Sequence, residues 1–541
     1  MINRPSLALR LVRPYLQQVV HSGKISYLLR DDFNDTLAAG SVNGTPATPG
    51  PGTRTVVDTN NVIGVESGAL IIDGTTATGD RYVLGSATRA LGRMLLVKFP
   101  SITTMTQPLW VGFCSNATTG TTFEPGFHVA NATIGLYVRL NAAGASLGTV
   151  SAPLKLAIVL RAAGGYLFRY DNAAAAWKLA WVDGTAGTAT LYPKAIIGLG
   201  AAYTLTMDEF RVPDALWLPA PLCYDTFTRA NGAIGTSEAV GPDGVTQPVT
   251  ARTWTGATWT VASNVAVNTP ATLGSEAIVN GGFDADTNWT KGTSWTIDAG
   301  DSNVAAIDGT GGISNISQAV LTANTWYRFV YTAATRVSGG TVGMVGGFQG
   351  PVHNATGTFT ETGVAVGSTN AAIRSYDFNG TIDNVSFKAL TLSELISSVS
   401  LGSANVIAGV NITRVSGYQT GIVCRLDSAS SPANFLLAVI YDIVNNPNLV
   451  LWKCVGGTYT ALINTTITYS AGARLVVVCD GSSVSVYYNN AQVGTTQTVS
   501  DAGILNNTLH GLFSTDAGNT LNDFLVMPRG NANEYAVLNR Y

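Results

Sequence analysis

The sequence predicts an all-β chain of two sandwiches, the second interrupted by an inserted β-sandwich, with a short helical arm at the N-terminus. Three observations carry that prediction. Short runs with period-two alternation recur, as at 69–74, 93–99, 136–140 and 483–488, separated by Gly, Asn, Asp and Thr turns. Strands of that length and spacing point to sandwiches or jelly rolls. One pattern also occurs twice: LAIVLRAAGGYLFRYDNA (156–173) lines up with LVVVCDGSSVSVYYNNA (475–491), and GLGAAYTLTMDEF (198–210) with GLFSTDAGNTLNDF (511–524). The openings align as well, Asp32-Phe33 with Asp225-Thr226-Phe227. Finally, the second copy is much longer than the first, because a stretch beginning NGGFDADTNW (280–289) interrupts it.

In chain order, residues 1–30 carry Arg4, Arg10, Arg13, Lys24 and Arg30 and no acid. Arg10, Arg13 and Pro14 interrupt any apolar core of a signal peptide, and no small-residue cleavage site follows. Residues 5–20 instead read as an amphipathic helix, kinked or broken at Pro14, with Leu9, Val12, Leu16 and Val19 along one side. Such an arm packs on its own first domain or docks onto a partner assembly. Residues 31–212 form sandwich one, and three prolines from Val212 to Leu222 predict a stiff linker over 213–222. Sandwich two comprises 223–275 and 391–529, the insert 276–390, and the tail 530–541. AGG at 163–165 and DGS at 480–482 each join an apolar run to an aromatic one, a hairpin whose turn needs residues tolerant of positive φ. A guest whose first and last strands lie side by side can replace a surface loop without parting the host's strands.

Composition narrows the function. The 541 residues exceed one core; only 12% are charged while 59 are Gly, a profile of secreted or virion β-proteins. A net charge of −3 offers no field to gather nucleic acid or an anionic membrane. No run reaches the roughly 18 apolar residues of a membrane span. Cys114, Cys223, Cys424, Cys454 and Cys479 show neither CxxC spacing nor tight pairing, so they read as small buried hydrophobes, and their odd number argues against an oxidising secretory route.

The DxFxRxxGxxGTS opening at 225–237, the Trp259-Thr260-Val261 strand and the hairpin RLVVVCDGSSVSVYYNN (474–490) resemble concanavalin A-like (laminin G-like) jelly rolls of phage and bacterial proteins. Copy one keeps only Asp32-Phe33-Asn34 of that opening. The insert, through SEAIVNGGFDADTNWTKGTSWTI (275–297) and FNGTIDNVSFKAL (378–390), resembles carbohydrate-binding-module-like β-sandwiches of phage structural proteins. The resemblance implies a fold of two concanavalin A-like jelly rolls with a carbohydrate-binding-module-like guest. It also implies a structural calcium near the NGGF turn, held by Asn280, Asp284 and Asp383; the alternative is that these Asx residues cap turns. In the host domains Asp32 and Asp225 either pair with Asp208 and Asp523 in the same fashion or cap turns themselves.

Hydrolases of the concanavalin A-like class carry E-x-D-x-x-E on a strand, and the sequence has none. The adjacent acid pair Asp208-Glu209 would face opposite ways on a strand. Four scattered histidines (His21, His128, His353, His510) have no metal-ligand spacing, and GxSxG, GxxxxGK and HExxH are absent. Sugar binding is the better candidate, because pyranose C–H faces stack on aromatic rings while amides take the hydroxyls. The insert supplies Trp289, Trp295, Trp326, Tyr327 and Tyr376, with Tyr331, Phe348, Gln349 and Asn354 nearby; alternation predicts that Trp326 or Tyr327, but not both, faces inward. The expectation is therefore a non-enzymatic phage virion component, a tail appendage, receptor-binding or decoration protein. It would attach to other virion proteins through its arm, face a host glycan, and form a homo-oligomer, a trimer by analogy. The alternatives are a bacterial surface adhesin and a polysaccharide-degrading enzyme.

Overall fold

The computed structural model describes residues 27–31, 33, 35–38, 41–43, 45–47, 53–57, 63–67, 69–73, 81–84, 90–101, 109–115, 123–129, 135–139, 146–184, 191–197, 204–300, 302–443, 446–530 and 538. The predicted helical arm and Asp32 fall outside them. The described chain is nearly all antiparallel strand, with helix confined to Leu392–Leu395 and Ala502–Leu505. No helix is long and apolar enough to cross a membrane. Two compact units part between Pro219 and Ala220, inside the proline-rich stretch.

In the first unit, a six-stranded sheet runs Tyr27–Asp31, Glu209–Pro213, Met94–Phe99, Leu154–Leu160, Gly165–Asp171, Ala176–Asp183. A second sheet runs Ser146–Thr149, Gly135–Arg139, Phe123–Val129, Leu109–Cys114, Tyr192–Ile197, Arg81–Leu84, Thr55–Val57. The split sandwich of the second unit repeats this order, save that Thr55–Val57 has no counterpart in its second sheet. Its first sheet sets Cys223–Asp225 beside Thr520–Pro528, then Val406–Thr413, Ala473–Asp480, Ser483–Tyr488 and Ala491–Thr498. Its second runs Thr458–Thr466, Asn446–Val455, Phe435–Ile443, Thr420–Leu426, Leu509–Ser514, Ile396–Ser400. Both predicted hairpins form, and their turns use glycine as expected: Gly164 has φ +72° and Gly481 φ +56°. A Cβ on Gly164 would lie 2.4 Å from the Asp183 carbonyl oxygen, so no other residue fits there.

Strand-for-strand equivalence locates the insertion. Where copy one passes from Ala69–Asp73 to Arg81–Leu84 through residues 74–80, copy two passes from Val265–Asn268 to Ile396–Ser400 through the whole guest. The guest starts slightly before residue 276: Leu273 pairs with Leu390 and Glu276 with Lys388, so its first and last strands lie side by side. Its two longest strands, Trp326–Val345 and Asn370–Leu390, pair with each other along most of their length.

A repeated polar clamp closes each sandwich where its first strand ends. Asp225 is fully buried and accepts from the Phe227 backbone N–H at 2.8 Å, from Arg229 Nη1 at 2.7 Å and from Trp254 Nε1 at 2.8 Å. In copy one Asp31, not Asp32, takes that place: it accepts from the Phe33 N–H at 3.0 Å and from Arg54 Nη2 at 2.8 Å. Both phenylalanines have positive φ, and each lies under its arginine at 5.4 Å. The arginine that copy one lacks in its opening motif thus comes from Arg54. The turn-capping alternative therefore describes Asp225, whereas Asp523 accepts from Asn411 Nδ2 and Asp208 from Lys98 Nζ. One expectation on acids needs correcting: Lys98 Nζ lies 2.6 Å from Asp208 and 3.8 Å from Glu209, so one ammonium reaches both. The strand begins only at Glu209, and face alternation does not extend to Asp208.

Candidate functional site: a cleft between guest and host

The sequence FLLAVIYDI at 435–443 is apolar almost without interruption, the mark of a strand buried on both faces. Leu436, Ala438 and Ile440 enter the core between the two host sheets, while Phe435, Leu437, Val439 and Tyr441 face the other way into a second core. Guest residues Trp326, Val364 and Leu390 complete that second core. The guest therefore lies on the outer face of the host's six-stranded sheet.

Trp326 is the centre of this contact. Its ring sits 4.9 Å from Phe513 and 6.2 Å from Tyr459, and its Nε1 donates to Tyr459 Oη at 2.9 Å. The next residue, Tyr327, points into the guest's own core. Both are buried, at 1% and 4% exposure, which overturns the expectation that only one faces inward. Alternation holds, but the strand has a core on each side. Beside Trp326 the seam turns polar: the Thr362 N–H donates to Gly417 O at 3.0 Å, Gln419 Nε2 donates to Thr362 O at 2.8 Å, and the Thr362 and Thr515 hydroxyls meet at 2.8 Å. Glu361, 1% exposed, hydrogen-bonds His353 Nε2 at 2.6 Å, while its Oε2 has no hydrogen-bond partner among the described residues. Burial pushes this carboxyl up to about 7; the His353 contact opposes the shift and the Asp442 charge adds to it. Asp442 itself is held below its ordinary value, its burial outweighed by a bidentate pair with Arg414 at 2.7 and 2.8 Å and a bond from Ser416.

At one end the seam opens into a cavity of about 290 Å³, near the lower end of the roughly 300–1,000 Å³ usual for small-ligand sites. The guest contributes Phe348, Gln349, Val364 and Val366; the host contributes Tyr441, Ile443, Trp452 and Asn464. Phe348 and Tyr441 meet across the cleft with ring centroids 4.9 Å apart. Gly363 makes room for Phe348, since a Cβ there would come within 2.5 Å of the ring. Tyr376 donates to Gln349 Oε1 at 3.1 Å, which orients the amide and leaves its Nε2 as the donor. Asn464 Oδ1 accepts from Asn448 Nδ2 at 2.8 Å; burial pushes the Tyr441 phenol up to about 12, and the Asn464 amide opposes that shift. Trp452 Nε1 is buried with no acceptor among the described residues. The lining holds three aromatic rings, two amides and no carboxylate, imidazole or thiol. It can stack and hydrogen-bond a neutral polyhydroxylated ligand, and it offers no acid, base or nucleophile.

The predicted stacking residues fare unevenly. Trp289, Trp295, Trp326 and Tyr327 are core residues, between 8% and 1% exposed, with no ring face open to a sugar. Trp289 donates to Asn280 O, and Tyr327 Oη accepts from the Thr322 N–H. Tyr331, also buried, bonds Thr341. Tyr376 reaches the cleft only through Gln349. Phe348 and Gln349 belong to the site, and Asn354 is exposed away from its lining. Tyr441, Trp452 and Asn464 went unrecognised because they lie in the host copy; their signal was a two-faced apolar strand that needed a covering layer.

The proposed calcium ligands do not fit a calcium ion. The NGGF turn and the IDNV strand do meet, with the Val385 N–H donating to Gly281 O. Asn280, at φ +60°, turns its Nδ2 donors to Ala285 O and Thr287 O, Asp383 is occupied by the Asn384 backbone and side-chain N–H groups, and Asp284 is exposed. Among the described residues no three acid, His or Cys side chains converge on a metal position.

No family model matches the chain, and no curated protein matches it. Among solved structures it is similar to the carbohydrate-binding module CBM66 from Bacillus subtilis, at 12% identity over 45% of this chain and 94% of that one, TM-score 0.16. It is also similar to a β-glucanase from Mycobacterium abscessus, at 18% identity over 35% of this chain and 100% of that one, TM-score 0.22. A third is the xylan β-1,4-xylosidase from Bacillus halodurans C-125, at 10% identity over 91% and 88% of the two chains, TM-score 0.21. Likenesses at these scores carry no argument about this chain's fold or activity; its architecture rests on its own strand order.

Proposed function

We propose that this chain is a non-catalytic recognition protein whose guest–host cleft takes a saccharide. The observation that carries this reading is the convergence of Phe348, Tyr441 and Trp452 with the amides of Gln349 and Asn464 in one cavity. Aromatic faces suit the C–H side of a pyranose, and oriented amides suit its hydroxyls. The absence of any carboxylate in the lining supports binding without hydrolysis. A glycan array probed with the full chain, followed by titration of the best hit against tryptophan fluorescence, tests it. Gln349→Ala and Asn464→Ala should each weaken binding about tenfold, the loss of about 1.4 kcal/mol, with unchanged melting. If no saccharide binds, or the variants bind as the parent does, the reading is wrong.

The same reading carries the module on a phage particle, attached through the basic arm. Its support is the resemblance of the 225–237 opening and of the insert's two ends to phage structural proteins. Mass spectrometry of purified particles tests that placement. Incubation with the bound polysaccharide should release no reducing ends.

A further inference from the structure

We propose that Cys424 and Cys479 are a disulfide site that staples the two sheets of the split sandwich when the chain meets an oxidant of the peroxide class. The sequence separates these cysteines widely, and their spacing suggests no pairing. The fold brings them together. Cys424 lies on Thr420–Leu426 of the six-stranded sheet and Cys479 on Ala473–Asp480 of the opposite sheet. Both have 0% exposure and point into the same core. Facing sheets usually stand about 10 Å apart, too far for a bond that spans about 4.4–6.8 Å between Cα atoms. Here the two strands approach within 8 Å between Cα atoms.

A break in strand register accompanies that approach. The pairing of Thr420–Leu426 with Leu509–Ser514 shifts between Val423 and Leu426, with Arg425 at φ +51°. The buried Arg425 is held by Ala404 O at 2.9 Å and Asn405 Oδ1 at 3.1 Å. The two thiols lie in the same buried core, and each perturbs the other's proton affinity. The Cys424 thiol draws the Cys479 thiol below its ordinary value, and the Arg425 charge adds to the effect. Cys223 and Cys454 have no thiol partner, and burial pushes both up to about 12.

The steps balance. The Cys479 thiolate attacks one peroxide oxygen; the O–O bond breaks, hydroxide leaves, and a sulfenic acid forms. The Cys424 sulfur then attacks Cys479 Sγ; the S–O bond breaks, and the departing hydroxide takes the Cys424 proton as water. Two thiols give up two electrons, and one peroxide becomes two waters.

The test treats the folded full chain with hydrogen peroxide, quenches, unfolds, alkylates and maps peptides. The expected result is a linked 424–479 peptide, Cys223 and Cys454 recovered as alkylated thiols, and a thermal midpoint of the second unit that rises and reverts with a dithiol reductant. In Cys424→Ser, a folded variant by its own melt, Cys479 should instead be trapped as a sulfenic acid by dimedone. The proposal is overturned if both cysteines are recovered as thiols, if linkage needs prior unfolding, or if linkage lowers the midpoint.

Discussion

Replacing Glu361 with Gln should make the second unit's stability less sensitive to alkali, and the size of the effect follows from the seam. In an unfolded chain the carboxyl titrates near 4.5, whereas in the fold burial raises it to about 7. A group whose folded value is raised binds its proton more tightly in the native state. Its contribution is complete below about pH 4.5 and is lost as pH rises through about 7. The difference of about 2.5 units, at 1.36 kcal/mol each, is about 3 kcal/mol. Because Glu361 is 1% exposed, solvent screening removes little of it. Gln keeps the acceptor for His353 and abolishes the titration, at a roughly constant penalty of about 1–3 kcal/mol for a buried amide N–H in place of the orphan Oε2. The variant should thus start about 1–3 kcal/mol below the parent at pH 4.5 and gain on it by about 3 kcal/mol by pH 8.5. Urea unfolding followed by tryptophan fluorescence reads that difference at each pH. A difference that stays flat across the range would refute the reasoning, since it would mean that the carboxyl is solvated or already ionised in the fold.

Three further outcomes follow from the same structure. Trp326→Ala should cost about 3–5 kcal/mol, because the ring fills the guest–host core, and limited proteolysis should then release the guest from the host faster than in the parent. Arg229→Ala leaves Asp225 buried with only its Phe227 and Trp254 partners, so the melt of the second unit should show a loss of about 3–5 kcal/mol; Arg54→Ala should do the same to the first. Calcium and EDTA should leave the melting of the full chain unchanged, and a calcium-dependent midpoint would restore the ligand set Asn280, Asp284 and Asp383.

Much of the architecture was legible in residues that speak for their neighbours. The hairpins at 156–173 and 475–491 share an apolar strand, a glycine turn and an aromatic strand, and those properties are local. The cleft was not legible, because its walls come from Phe348 and Gln349 on one sandwich and Tyr441, Trp452 and Asn464 on another. Aromatic enrichment in the guest directed attention to Trp289 and Trp295, which a small sandwich needs for its own core. A tryptophan's identity does not say which side of a strand holds solvent.

By itself, then, the sequence determined the strand class, the duplication and the presence of a guest, since period-two patterning and turn chemistry act over a few residues. Only the tertiary structure decided that Arg54 stands in for the missing opening arginine, that Glu361 is buried beside His353, and that Cys424 and Cys479 share one core. Each of those pairings depends on how sheets and sandwiches lie against one another, which is set by the summed burial of many side chains and is written in no short stretch of the chain.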